Sequence, residues 1–333
     1  MFTHIVADAK KIANQARNLT KNKEAHRWIV QLSRPLADVI DLINENVAAI
    51  HKKSQFLENC VLKEKIEENL FVPKICLQLN ELKQPITVCT SAQCCEFYSE
   101  NNKKQHYYKQ KCHDPCSLTN IPGDIIGSPE LMYCAAMNAH YYCKKCSCHF
   151  SKHMHVLYLT RKTEQQIRDI ELEGNYNEKR QVFLERLHEN ATEYQAEGEF
   201  IVKIMAKFSH FLKQHGYSSD NDAYEKYLLY LIGREVKYGP DSDLDLIKHY
   251  KSMLKDYREE KINLDKFLSS NNDDKCAVSS EEIFTSVEKL FQLKHTGQQL
   301  KDLHEVQLKC TNMNEKDRVG GSSSGRNSKK ATL

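Results

Sequence analysis

The amino-acid sequence predicts a mainly α protein: long antiparallel helices, with a small zinc-binding module containing short β-strands inserted among them. Three observations lead there. Apolar residues recur at steps of three and four through the first 70 residues and again after residue 160, the spacing of one helix face. Nine of the thirteen cysteines fall between Cys89 and Cys148. Five of the seven prolines lie between Pro73 and Pro129, over much of the same stretch, and such a density rules out long helices there.

Taken in order, residues 1–72 read as an N-terminal helical stalk. Trp28, Leu32, Leu36, Val39, Ile43, Val47 and Ile50 share a face. Pro35 is expected to start a new helix or to kink one, and the polar stretch Asn18 to Glu24 to break the helix before it. Phe56, Leu57, Cys60, Val61 and Leu70 suggest a further amphipathic segment. Residues 73–160 form the Cys/His-rich module. Gln84 to Cys89 reads as a short strand leading in and Val156 to Leu159 as a strand leading out; the two are expected to pair at its base.

Helical texture returns at 161 and continues to 312, a helical and coiled-coil region. Ile167, Ile170, Phe183, Leu184 and Leu187 mark one long segment, and Ile201, Ile204, Met205, Phe208, Phe211 and Leu212 a strong apolar stripe ending at Gly216. Shorter helices follow through Tyr224–Ile232 and Leu246–Tyr257. Ser279 with Glu282 three residues on matches a capping box and opens a last helix that runs towards Leu303. The heptad pattern is irregular, so an antiparallel bundle or hairpin is expected and not one continuous dimeric coiled coil. The polar, Gly/Ser-rich tail, residues 313–333, is expected to be disordered.

Composition bounds the function. Net charge is +3 and 28 % of residues are charged, with signs mixed along the chain, which describes solvated helix faces better than a nucleic-acid surface. No apolar run reaches the ~20 residues that span a bilayer, and no signal-peptide core is visible at the N-terminus. A cytoplasmic or nuclear location is therefore expected. In a reducing compartment a dense Cys/His cluster means metal more often than disulfide.

The cluster reads C89-x4-C94, C112-H113-x2-C116, Cys134, and C143-x2-C146-x-C148-x4-H153-x-H155. Zinc takes four thiolate or imidazole ligands in a tetrahedron, and a Cys pair in a tight turn supplies two of them. The candidate ligands are Cys89, Cys94, Cys112, His113, Cys116, Cys134, Cys143, Cys146, Cys148, His153 and His155. They suffice for two closed structural sites. A sequential layout joins Cys89/Cys94 to Cys112/Cys116, and Cys143/Cys146 to Cys148 or the two histidines. A cross-braced layout joins Cys89/Cys94 to Cys143/Cys146, and Cys112/Cys116 to Cys148 and a histidine. The second is preferred because it brings the flanking strands together. Adjacent Cys112 and His113 read better as partners in one metal site than as a thiol–imidazole catalytic pair. Cys95 directly follows Cys94 and reads as a non-ligand; His106, His140 and His149 read as surface or outer-sphere groups. Cys60, Cys76, Cys276 and Cys310 lie singly and read as buried small hydrophobes.

Thiolates dominate, and neither H-E-x-x-H nor H-x-E…P-C-x-x-C is present, which favours structural over catalytic zinc. No phosphate-cradling glycine loop and no nucleophile elbow occurs. No nucleotide site and no enzyme activity are expected.

With the cluster in view, the stretch from Val88-Cys89-Thr90 to His155-Val156-Leu157-Tyr158 resembles a Cys/His-rich helical region of large invertebrate and fungal proteins. There it follows a GTPase domain of the immune-associated nucleotide-binding type. Asn22 to Val47 resembles the helix that bridges that GTPase to the region. The resemblance covers most of residues 1–310 and is carried by the eleven candidate ligands. The family often has Cys-Gly-Cys where this chain has Cys146-Ser147-Cys148. With no P-loop here, GTP binding does not carry over, and the chain looks like a C-terminal fragment, split product or paralogue. The resemblance implies a non-catalytic, zinc-stabilised interaction or assembly module, whose helices self-associate or bind a protein partner. Two rivals stand beside it. One is a zinc-plus-coiled-coil ubiquitin ligase, although ligase modules usually precede their coiled coil. The other is a nucleic-acid-binding zinc module using Lys103, Lys104, Lys109, Lys111, Lys144 and Lys145.

Overall fold

A computed structural model describes residues 2–100, 103–109, 111–118, 125–168, 174–216, 222–237, 239, 242, 244–270 and 277–320. The chain divides into a helical unit, Met1–Leu79 with Thr160–Leu303, and a second unit, Asn80–Leu159 with His304–Leu333. The N-terminal stalk and the C-terminal helical region, expected as separate stretches, therefore build one unit around the insertion.

α1 runs unbroken over Phe2–Asn59. This corrects the expected break at Asn18 to Glu24 and, of the two outcomes expected at Pro35, removes the restart, since Pro35 lies inside the helix. One missing N–H is outweighed by the packed face formed by Ile29, Leu32, Leu36, Val39, Ile43 and Ile50, each at most 3 % exposed. A short α2, Lys63–Glu68, follows. α3, Tyr176–Gln214, opens at Asn175, whose side chain accepts from the Glu178 backbone N–H while the Glu178 carboxylate accepts from the Asn175 N–H. Its buried row, from Phe183 and Leu187 through Ile201, Met205 and Phe208 to Phe211, is the stripe read from the sequence. α3 lies along α1. Asn22 and His215 approach to 3.5 Å, and Arg180 Nη1 donates to the Cys60 carbonyl at 3.3 Å. Gly198 sits over Ile43, which an added Cβ would meet at 3.6 Å.

α4, Ala223–Val236, and α5, Leu244–Ser270, complete this layer. α6, Ser280–Phe291, begins with the capping box expected from Ser279 and Glu282. The last helix does not continue through it. α7, Gly297–Gly320, is a separate element. Gly297 marks the break, because a Cβ there would lie 2.6 Å from the Phe291 carbonyl oxygen. Residues 313–320, expected to be disordered, are helical, since α7 extends to Gly320; residues 321–333 lie outside the described ones, as do Ile170 and Cys276. Among the described residues no helix is long and apolar enough to cross a membrane.

The strands are longer than expected. β1 spans Val72–Cys89 and β5 His153–Ile167, so residues 161–167 are strand where helix was expected. With β4, Lys111–His113, they form a sheet of order β4-β1-β5. β2, Cys95–Glu100, and β3, Lys103–Tyr108, pair antiparallel beside it in sequence, from Cys95 opposite Tyr108 to Glu100 opposite Lys103. The Thr163 hydroxyl donates to the Cys76 carbonyl at 3.4 Å, and the Thr90 N–H to the Lys152 carbonyl at 2.8 Å, so β1 and β5 run antiparallel.

In the helical unit, α1 fixes both strands. Fully buried Asn46 receives the Ile75 N–H at 2.8 Å and donates to the Ile75 carbonyl at 3.0 Å. It thereby closes backbone groups on a part of β1 that β4 does not reach. Lys162 on β5 pairs with Asp41, at 2.6 Å, and with Glu45. Tyr250 on α5 donates to the same Asp41 carboxylate. Asp41 is 6 % exposed, and its charge is compensated by these two donors.

Candidate metal centre

Alternation along the sheet sorts side chains between two faces. Ile86, Val88, Met154 and Val156 gather into an apolar cluster with Leu82, Tyr108, Ile126 and Leu159 packed against it. The residues between them in sequence, Thr87, Cys89, His153 and His155, belong by alternation to the opposite face and are buried as well. Against that face the remaining cysteines assemble: Cys94, Cys112, Cys116, Cys134, Cys143 and Cys148 are each at most 8 % exposed.

β4 is irregular where it matters. Thr87 is opposite His113 but Val88 is opposite Lys111, leaving Cys112 as the extra residue of a bulge. A bulge re-aims side chains, and here it sends two consecutive residues to different places. The C-terminal knuckle is held by its own backbone. The Cys143 N–H donates to the Cys148 carbonyl and the Ser147 N–H to the Cys143 carbonyl, both at 2.8 Å. Ser147 reaches this turn only with a left-handed backbone, φ 61°.

Three groups of potential ligand atoms result, with all atoms in each group within 4.8 Å of one another: Cys89, Cys94, Cys146 and Cys148; Cys112, Cys143, Cys146 and His153; and His113, Cys116 and Cys134. Such Cys/His groups can hold metal ions. Cys146 belongs to two of them. The Cys94 and Cys148 sulfurs are 3.9 Å apart, Cys112 and Cys146 3.8 Å, and Cys116 and Cys134 3.9 Å. These separations are far beyond the ~2.05 Å of a disulfide, and every cysteine of the groups is free. His153 turns Nε2 towards the Cys146 sulfur, 3.3 Å away, with Nδ1 3.0 Å from the His149 carbonyl. A ring nitrogen fixed in this way leaves the other free to ligate. His113 Nδ1 stands 3.3 Å from the Cys134 sulfur.

Outer contacts favour thiolates. The Ser91 N–H points at the Cys89 sulfur and the Lys145 N–H at the Cys143 sulfur, each at 3.4 Å, and Gln93 Nε2 reaches the Cys148 sulfur at 3.1 Å. Burial, with neighbouring thiols, pushes Cys89 and Cys112 well above the ordinary thiol range and Cys146 up to about 12. Cys134 goes the other way, down to about 5, chiefly because Cys116 donates to it. A cation entering the cluster must displace thiol protons.

The structure redistributes the expected pairings. Cys89/Cys94 join the C-terminal knuckle, as in cross-bracing, but with Cys146 and Cys148. Cys143 goes with Cys112. Cys112 and His113, expected in one site, fall into different groups, and so do Cys112 and Cys116. His155 lies outside the three groups although it is 1 % exposed. The Cys95 thiol donates to the Cys89 carbonyl, 3.4 Å away, and belongs to none of the three groups. His149 contributes its carbonyl. His140 is exposed, whereas the side chain of His106 lies outside the described ones. Cys60 and Cys76 are half-buried, not buried, and the Cys310 side chain lies outside the described ones. Three of the module's lysines are engaged locally: Lys111 pairs with Asp114 at 2.8 Å, and Lys144 and Lys145 donate to the Ala135 and Lys111 carbonyls.

Residues 81–159 match a family described as a domain of unknown function (DUF8206), a span that coincides closely with the inserted unit. No curated protein and no solved structure matches the chain.

Proposed function

We propose that the protein is a non-catalytic interaction or assembly module, a helical stalk carrying a zinc-stabilised head. The observation that carries this reading is the chemistry of the three ligand groups, which contain thiols and imidazoles and no carboxylate. A tetrahedral zinc with Zn–S bonds of about 2.3 Å sets its sulfurs about 3.8 Å apart, the spacing of the Cys112–Cys146 pair. Soft ligands in this geometry suit zinc better than the hard cations. Two of the groups offer four protein ligands each, which leaves an ion there no open position, so its work is to fold a segment with little core of its own.

The stalk reading draws on the α1–α3 contacts, whose partner numbers fall along one helix as they rise along the other, the pattern of an antiparallel pair. A role beside GTPases of the immune-associated type rests on the resemblance of the Cys/His string alone. Reduced thiols fit the cytoplasm or nucleus. The test is zinc content per chain, with far-UV circular dichroism before and after chelation. Stoichiometric zinc, and a loss of β signal on chelation that spares most helix, supports the reading; a metal-free protein with an intact module refutes it.

A further inference from the structure

We propose that the module holds three zinc ions and not two: a pair bridged by the Cys146 thiolate, and a separate ion completed by His155. This rests on the zinc reading above and deepens it.

Three tetrahedral ions offer twelve positions. The two groups that share Cys146 fill eight of these with seven residues, and neither can be closed by four protein ligands without it. A thiolate sulfur has three lone pairs, so it can bond two cations at once. Its intermediate burial, against the near-complete burial of Cys89, Cys112 and Cys143, fits a sulfur that must be approached from two sides. Six thiolates around two dications leave a charge of about −2 on the pair. The Ser91 and Lys145 N–H groups and the Gln93 amide, all aimed at the sulfurs, are placed to stabilise that charge.

The third group stops at three ligands: His113, Cys116 and Cys134. His155 is the residue at hand to complete it. It lies two positions from His153 on β5, hence on the same face, while Met154 and Val156 pack into the apolar cluster behind. Its ring is buried, and its Nδ1 has no hydrogen-bond partner. The sheet order β4-β1-β5 puts His113 and His155 on the two strands flanking β1, where Thr87, opposite His113, shares the buried face of His155. An unsatisfied buried imidazole nitrogen is costly, and a cation shared with His113 would satisfy it. Two thiolates and two neutral imidazoles then hold one dication with no net charge. All eleven Cys/His residues read from the sequence are used, Cys146 twice.

Native mass spectrometry of the whole chain, with NMR of the protein loaded with the spin-active cadmium isotope, tests this. Expected are three ions per chain and three cadmium resonances, two of them split by coupling to each other through the shared sulfur and one unsplit. His155→Phe should lose one ion and only the unsplit resonance. Cys146→Ala should lose both members of the pair and keep the unsplit resonance. The unaltered protein's spectrum decides the bridge even where a variant fails to fold. Two ions per chain, or three resonances without coupling, overturns the bridged arrangement while the zinc reading survives. Unchanged stoichiometry in His155→Phe overturns the role of His155. A chain that binds no zinc or cadmium removes both this inference and its parent.

Discussion

Ser147 holds a left-handed backbone at the centre of Cys146-Ser147-Cys148, with φ 61°, at the point where the chain delivers two sulfurs to ligand groups. Only glycine adopts this conformation without a Cβ clash; for other residues it costs about 1–2 kcal/mol. Replacing Ser147 by glycine removes that cost and returns about 0.4–1 kcal/mol through the looser unfolded chain. Ser147 is exposed, so no packing is lost, and its N–H can still donate to the Cys143 carbonyl. The net gain is about 1 kcal/mol, or roughly fivefold in an equilibrium constant. Because ligand groups of this kind form only in the folded module, that gain is expected to appear in metal affinity. Competition with a chelator should show Ser147→Gly binding zinc about fivefold more tightly than the parent. Ser147→Val, β-branched at a positive φ, should bind more weakly than the parent. A glycine variant no tighter than serine, or a valine variant tighter than either, would refute the reasoning.

Two further predictions concern the helical unit. Asn46→Ala leaves the Ile75 N–H and carbonyl without their buried partner, at a cost of about 2–4 kcal/mol; thermal melting followed at the helix band should fall by several degrees, and an unchanged Tm would dismiss the role given to Asn46. Burial depresses the pKa values of His26 and His249, so the unfolded chain binds protons that the folded one refuses. Their contribution to stability is complete above about pH 6.5 and is lost as pH falls through the depressed folded values; Tm should drop between pH 7 and 5, less so in His249→Leu, and an equal drop in both proteins would count against it.

The elements legible in the sequence were those fixed by local rules. The α6 start follows from Ser279 and Glu282 touching each other's backbone, three residues apart. The α3 stripe follows from helical period alone. What stayed hidden depended on distant partners. Residues 161–167 are largely polar and lack alternation, so nothing local marks them as strand; β1 makes them one. Pro35 signals a break, yet the packed face around it carries the helix through. For the candidate centre, the cluster itself was readable because nine of the thirteen cysteines lie between Cys89 and Cys148. The distribution among groups was not, since spacing cannot show that a bulge at Cys112 parts it from His113, or that Cys146 stands between two groups.

The chain enters the Cys/His module along β1 and leaves it along β5, and the two strands close on each other where Thr90 meets Lys152. To the rest of the polypeptide, some sixty residues and their ligand groups are a turn: the chain goes out and comes back at adjacent points. An insertion with neighbouring ends can be lengthened, shortened or exchanged without rerouting the flanking helices.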